Sequence, residues 1–292
     1  MAAVIKIWLA GLNRQFYLPE WRMAKESIQQ DRNFDDLARR FKKNIYGGLK
    51  GDIRLAVLER DCKAHLPVYP SASNPVKAWR ILDAGGGQGQ FSLQWAKAGH
   101  DVVICDISAE MLKLAEEPIK TLNLENKITL VHSSIQDLHL HLNGKNQFDF
   151  VICHAVMEWL QEPQQLLPCL LDYLAPGAFL SLTFYNVHSL IYKNLLRTNF
   201  KKIINQDYGG SRGSLTPINP QNPAQVLEWV RQLPLSTLCH SGIRVFHDYI
   251  FNEEHRAREP DTLLQLELEF SQQEPYRSLG RYIHLLLQEH NK

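Results

Sequence analysis

Long apolar runs, paired cysteines and a charge excess of either sign are all missing from this 292-residue chain. Residues 1–10 are moderately apolar, but Lys6 interrupts them and the run is too short to cross a membrane. No small-residue cleavage site follows, so neither a signal peptide nor an anchor is expected. The five cysteines, Cys62, Cys105, Cys153, Cys169 and Cys239, contain no C-x-x-C pair. That usage suits a reducing, cytoplasmic setting and gives no zinc site, so no metal is expected. A net charge of +1 makes no global case for a nucleic-acid binder, although local clusters can still form a footprint. Repeats and low-complexity segments are absent. What is there, 45% hydrophobic and 22% charged residues, describes a soluble globular chain long enough to bury a full core.

The apolar pattern alternates. Strands are expected over 78–83, 101–106, 128–132, 148–154 and 177–185. Helices are expected over 91–98, 109–122 (capped by Ser108) and 166–174. A further helix over 220–233 leads to strands over 237–246 and 282–287. Apolar strands separated by amphipathic helices imply a doubly wound α/β fold, its sheet covered on both faces. The two late strands fit a seven-stranded, mostly parallel sheet with one antiparallel member. Ahead of it, Phe34, Leu37 and Phe41, then Ile53, Val57 and Leu58, are spaced as on a pair of amphipathic helices, an N-terminal helical cap over the ligand mouth. Residues 1–30 are thus an extension, 31–75 the cap and 76–292 the main domain.

The most informative run is Ile81-Leu82-Asp83-Ala84-Gly85-Gly86-Gly87-Gln88-Gly89, an apolar strand entering a glycine-rich turn before a helix. The dinucleotide pattern G-x-G-x-x-G fails from either start, because Gly85 and Gly87 lead to Gln90, and Gly87 and Gly89 lead to Ser92. An acid, Asp83, ends the strand instead. A carboxylate beside such a turn suits a ligand with an ammonium group better than one with a pyrophosphate, and S-adenosylmethionine is the expected cofactor.

In a doubly wound sheet the ligand lies across the carboxyl ends of the strands. Asp106 ends the second strand about twenty residues after the turn, where a carboxylate reaches ribose hydroxyls. Ile135 and Gln136 follow the third strand, where adenine is held by backbone and a polar side chain; Asp137 beside them could equally cap a turn. His154 ends the fourth strand and either contacts the cofactor or lines the route to the acceptor. Tyr185-Asn186-Val187-His188 closes the fifth and reads as an acceptor site, or, for Asn186, as a turn. On composition alone Arg54 is a solvated arginine, but it sits among apolar residues, and the cofactor's carboxylate needs a cation.

Several segments carry a resemblance: QDRNFDD from Gln30, Asn44 to Gly47, the glycine turn, His154-Ala155-Val156 with Glu158-Trp159, Phe184-Tyr185-Asn186, GIRVFHDY from Gly242, Gln273 to Tyr276, and LGRYIH from Leu279. Over roughly 30–288 the chain resembles the tRNA 5-carboxymethoxyuridine methyltransferases. The glycine turn is common to class I methyltransferases; GIRVFHDY, LGRYIH and QDRNFDD are far more particular. The resemblance implies a class I, Rossmann-like methyltransferase fold and cofactor contacts at Arg54, Gly85, Gly86, Asp106, Ile135, Gln136 and His154. Ser134-Ile135 departs from the small residues common there, which matters little to a backbone contact. It implies methyl transfer from S-adenosylmethionine to the carboxylate of 5-carboxymethoxyuridine at the tRNA wobble position.

A carboxylate with a reference pKa of about 4 is already a nucleophile at neutral pH, so no general base is required. Tyr185, His188, Arg244 and Tyr46 are the candidates to orient it. The tRNA would be held by Arg39, Arg40, Lys42 and Lys43, and by Lys193, Arg197, Lys201, Lys202 and Arg212, each otherwise a solvated charge. Tyr192, Phe200 and Tyr208 could stack on a splayed base or lie in the core. The rival readings are a small-molecule carboxyl or O-methyltransferase and a non-catalytic cofactor-binding regulator.

Overall fold

The computed structural model describes residues 31–35, 48–70, 77–144, 146–210 and 215–290. The extension over 1–30, the expected helix through Leu37 and Phe41, the four cations of 39–43, Tyr46 and Arg212 lie outside them.

Seven strands form one sheet: β1 (Arg80–Ala84), β2 (Asp101–Asp106), β3 (Ile128–His132), β4 (Phe148–His154), β5 (Leu174–Tyr185), β6 (Leu235–Ile243) and β7 (Tyr282–Glu289). Their order is β3-β2-β1-β4-β5-β7-β6. Strands β1 to β5 pair in parallel, and β7 runs antiparallel to both β5 and β6. The single antiparallel strand is therefore inserted next to the edge rather than added at it. Burial on both faces follows the two-residue period of the strands. Leu82 and Val103 enter one core, while Ile81, Val102 and Ile104 enter the other.

Among the helices, α1 spans Leu49–His65, α2 Leu93–Lys97, α3 Ala109–Thr121, α4 Leu166–Leu171, α5 Val187–Leu196, α6 Phe200–Ile204, α7 Pro223–Arg231, α8 Glu253–Arg258 and α9 Pro260–Phe270. One core takes Leu166, Leu167 and Leu170 of α4 with Val226 and Val230 of α7. The other takes Val57, Leu58 and Cys62 of α1, Trp95 of α2, and Leu112, Ala115 and Ile119 of α3. Ser108 caps α3 as expected, accepting from the Met111 N–H at 3.1 Å. No helix among the described residues is long and apolar enough to cross a membrane.

Three expectations need correction. The helix expected over 166–174 ends at Leu171, because the chain turns at 172–173 and Leu174 already opens the longer β5, paired with Phe148. Helices α5, α6, α8 and α9 had no counterpart in the sequence pattern; they are short or lie mostly on the surface, where little periodicity is written. Phe34 is not helical: Asn33 Oδ1 accepts from the Asp35 N–H at 2.8 Å, a local turn that competes with a helix.

Candidate active site

The sheet order reverses between β1 and β4, so a crevice opens at their carboxyl ends. Two cavities meet there, sharing Gly85, Gly86 and His154. The larger, about 750 Å³ with its open mouth, is lined by Asp106, Ile135, Gln136, Ala155 and Trp159 among others. The smaller is lined by Arg54, Asp83 and Phe91 among others. All eight cofactor-site candidates thus fall on this one pair of cavities.

Backbone shape makes the cradle. Gly85 has φ +71°, and its N–H and that of Gly86 both bond the Cys105 carbonyl. A Cβ on Gly86 would stand 2.4 Å from the Asp83 carboxyl carbon. At the end of β2, Asp106 accepts from the N–H groups of Gly87 (2.9 Å) and Ser108 (2.8 Å), which ties the acid to the turn. Ala155 after His154 is also left-handed, at φ +59°, an uncommon and costly state for a residue with a Cβ.

Charge is set by burial. Burial pushes Asp83 up to about 7, with Asp106 adding to the effect and a hydrogen bond from Ser92 and the charge of Arg54 opposing it. Burial likewise raises Asp106, against its two backbone bonds. Arg54 is not a solvated arginine: it is 5% exposed, reaches Thr183 Oγ1 at 3.5 Å and packs on the Tyr282 ring. Asp137 proves to be the turn cap, bonded both ways to Ser134. The Ile135 carbonyl accepts from Tyr173 Oη at 2.7 Å, which fixes the backbone beside Gln136.

Residues 31–35, within QDRNFDD, strap this crevice. Arg32 N–H bonds the Trp159 carbonyl, Asp31 accepts from Gln161 N–H, and Phe34 meets Trp159 edge-on at 4.7 Å. At the other side Asp35 accepts from Ser108 Oγ and the Glu110 N–H. The segment therefore joins the ends of β2 and β4, and Asp31, Arg32 and Phe34 line the larger cavity.

Beyond β5 lies a cationic cluster. Arg244 pairs with Asp248 at 3.5 Å and Arg281 with the same carboxylate at 2.7 Å. Lys50 and Lys193 also feel that carboxylate, and burial pushes Lys193 down to about 8. Although burial alone would raise Asp248, Arg244, His247 and Arg281 hold it well below the usual carboxylate range. Four cations around one carboxylate leave a surplus for an anion. Arg244 has φ +60°, and Glu267 of α9 secures its turn by accepting from the N–H groups of Val245, Phe246 and His247 at 2.6–2.9 Å.

The acceptor candidates are not all brought together. Arg281 packs over the Tyr185 ring, whose edge meets Tyr282, and Arg244 packs over Tyr282 from 5.4 Å. His188 stands exposed on the first turn of α5. Tyr185, His188 and Arg244 line neither cavity. Asn186 shapes the turn: it caps α5 through the His188 N–H and donates to the Ser278 and Gly280 carbonyls. Among the proposed stacking residues, Tyr192 and Phe200 are exposed, while Tyr208 packs against the core. Sequence reasoning placed the segment carrying Phe34 over the ligand mouth but missed Asp248, Arg281 and Tyr282. GIRVFHDY and LGRYIH held the only signal, as whole segments without assigned positions.

A family model described as a methyltransferase domain matches residues 82–182. Magnesium protoporphyrin IX methyltransferase from Synechocystis superposes with a TM-score of 0.55 at 18% identity, covering 88% of this chain and 96% of that one, a likeness of fold. A ubiquinone biosynthesis O-methyltransferase of Psychrobacter cryohalolentis is 31% identical over 107 residues, 37% of this chain and 41% of that protein. The chain is thus a class I S-adenosylmethionine-dependent methyltransferase. The tRNA 5-carboxymethoxyuridine methyltransferase of Escherichia coli K12 is 39% identical over 257 residues, 88% of this chain and 95% of that protein. The chain belongs to that enzyme's family.

Proposed function

We propose that this chain methylates the carboxylate of 5-carboxymethoxyuridine at the wobble position of tRNA in the cytoplasm, forming the methyl ester. The observation that carries the reading is Tyr282. Arg54, from the smaller cavity, and Arg244, from the cationic cluster, pack on that one ring, which supports an anion site beside the cofactor crevice.

The residues fit the cofactor group by group. Arg54 suits its carboxylate, Asp83 and His154 its ammonium, Asp106 its ribose hydroxyls, and Ile135 and Gln136 its adenine. A Cβ on Gly85 or Gly86 would run into Val156 or Asp83, so only glycine lets the turn close against them. When bound, S-adenosylmethionine supplies an electrophilic methyl group on a sulfonium. The acceptor carboxylate is ionised at neutral pH and needs no proton removed. What the chain must do is hold one of its oxygens and leave the other free, since a clamp on both would blunt the nucleophile. Arg244 and Arg281, each already turned toward Asp248, can anchor one oxygen, with Tyr185 and Tyr282 walling the approach. Effective positioning alone is worth several powers of ten in rate. The exposed Lys201, Arg197 and Phe200 on and between α5 and α6 suit phosphates and a base of an anticodon loop.

The test is nucleoside mass spectrometry of tRNA bearing the free carboxymethoxy group, incubated with the protein and S-adenosylmethionine at low and high salt. A methyl ester should appear on that nucleoside and form steeply less well at high salt. Ester formation on a free small acid but not on tRNA would favour the small-molecule rival instead.

A further inference from the structure

Three wholly buried side chains outside the cavities form a hydrogen-bonded chain that ends on His154. Asp61 of α1 meets His284 Nδ1 of β7 at 2.7 Å. His284 Nε2 meets Ser181 Oγ of β5 at 2.9 Å, and Ser181 Oγ meets His154 Nε2 of β4 at 2.8 Å. Asp61, Ser181 and His284 are each 0% exposed. The register explains the alignment: His154 pairs with Thr183 and Thr183 with His284, and Ser181 lies two residues earlier on the same face of β5. At the far end Asp61 Oδ1 accepts from Arg60 at 2.6 and 2.9 Å and from Gln272 at 3.1 Å.

The protons follow from the partners. Burial would raise Asp61, but the hydrogen bond from His284 and the charge of Arg60 hold it well below the usual carboxylate range, so it only accepts. His284 Nδ1 must then carry a proton. Arg60 already balances Asp61, so a second proton on His284 would leave a surplus cation in a wholly buried site, which is costly. His284 Nε2 is therefore an acceptor, Ser181 donates to it, and Ser181 accepts from His154 Nε2–H. His154 is neutral, since burial and the charge of Arg54 push it well below the usual histidine range. Its Nδ1 is left as a bare lone pair with no hydrogen-bond partner among the described residues, on a ring that lines both cavities.

We propose that Asp61, acting through His284 and Ser181, is a positioning residue that locks His154 in its Nε2–H tautomer and so presents Nδ1 as an acceptor to the ammonium group of the methyl donor, beside Asp83. This rests on the cofactor reading of the two cavities. All donors in the chain point inward, away from the ligand; reversing the role of Asp61 reverses them all. In Asp61→Asn the new amide would keep its oxygen toward Arg60 and Gln272 and turn its NH₂ toward His284 Nδ1. His284 would then donate to Ser181, Ser181 to His154 Nε2, and His154 would aim an N–H at the ammonium.

The experiment uses the full-length protein and two ligands, S-adenosylhomocysteine and its analogue lacking the α-amino group. Titration calorimetry of Asp61→Asn should show S-adenosylhomocysteine binding weakened about ten- to a hundredfold, with the deaminated analogue changed less than about twofold. Nitrogen-15 spectra of the imidazoles should show His154 moving from Nε2–H to Nδ1–H. Equal losses for both ligands, no loss for either, or an unchanged tautomer would overturn the relay. If Asp61→Asn does not fold, Ser181→Ala carries the same paired titration, with Ser181→Thr restoring the wild-type preference. Should the wild-type protein bind neither ligand, the cofactor reading of the cavities is what fails.

Discussion

The two halves of the sheet do different work in different materials. On the β1, β2 and β4 side the site is a glycine turn, the acids Asp83 and Asp106 and a left-handed Ala155, each set locally by its own strand end. On the β5–β7 side it is charged side chains gathered from distant segments, with Arg244, Asp248, Arg281 and Lys193 held by the buried Glu267 and by Asn186. The similarities to known proteins divide along the same line. The methyltransferase family model stops at residue 182, and the ubiquinone-pathway relative aligns with 37% of the chain, whereas the tRNA-modifying relative runs through 88%. Under the proposed function, the first half handles the methyl donor and the second half chooses the acceptor.

Damage confined to the first half should give the largest effect on cofactor binding. Gly86→Ala places a Cβ 2.4 Å from the carboxyl carbon of the buried Asp83, so that acid must shift. Titration calorimetry should show S-adenosylhomocysteine binding weakened on the order of a hundredfold, about 2.7 kcal/mol. Thermal melts should show a further overpacking cost of ~1–3 kcal/mol. Binding within a few-fold of wild type would mean that the turn does not cradle the ligand.

A milder test of the same half uses pH. Burial pushes Asp83 up to about 7, so in the free protein it is largely protonated below that point and ionised above it. An ammonium ligand favours the ionised form, so binding below pH 7 must also release a proton. Affinity for S-adenosylhomocysteine should therefore fall as pH drops through 7, by up to about tenfold per unit, and level off above it. Asp83→Asn should bind more weakly and lose most of this slope. A flat profile in the wild type would separate Asp83 from the ammonium.

The same contrast governs what could be read from sequence. Strand periodicity and the glycine turn are local, so Asp83, Gly85, Gly86, Asp106, Ile135, Gln136 and His154 were legible, and the structure places them on one pair of cavities. Arg54 was legible only as an arginine among apolar residues, since nothing local says that a helix surface will be covered. The Asp248 cluster was not legible: it is made by β7 inserting between β5 and β6, a pairing of distant segments that no local pattern encodes. Asp61 and His284 lie 223 residues apart. The 31–35 strap misled, because apolar spacing suggested a helix where Asn33 instead accepts from the local Asp35 N–H and Asp35 reaches across to Ser108 and Glu110.

If cofactor binding and acceptor choice reside in separate halves, Arg244→Ala should divide them. Turnover on tRNA bearing the carboxymethoxy group and the dissociation constant for S-adenosylhomocysteine would be measured on the same preparation. Turnover should fall about a hundredfold while the dissociation constant stays within about twofold of wild type. Equal losses in both, or intact turnover, would contradict the division.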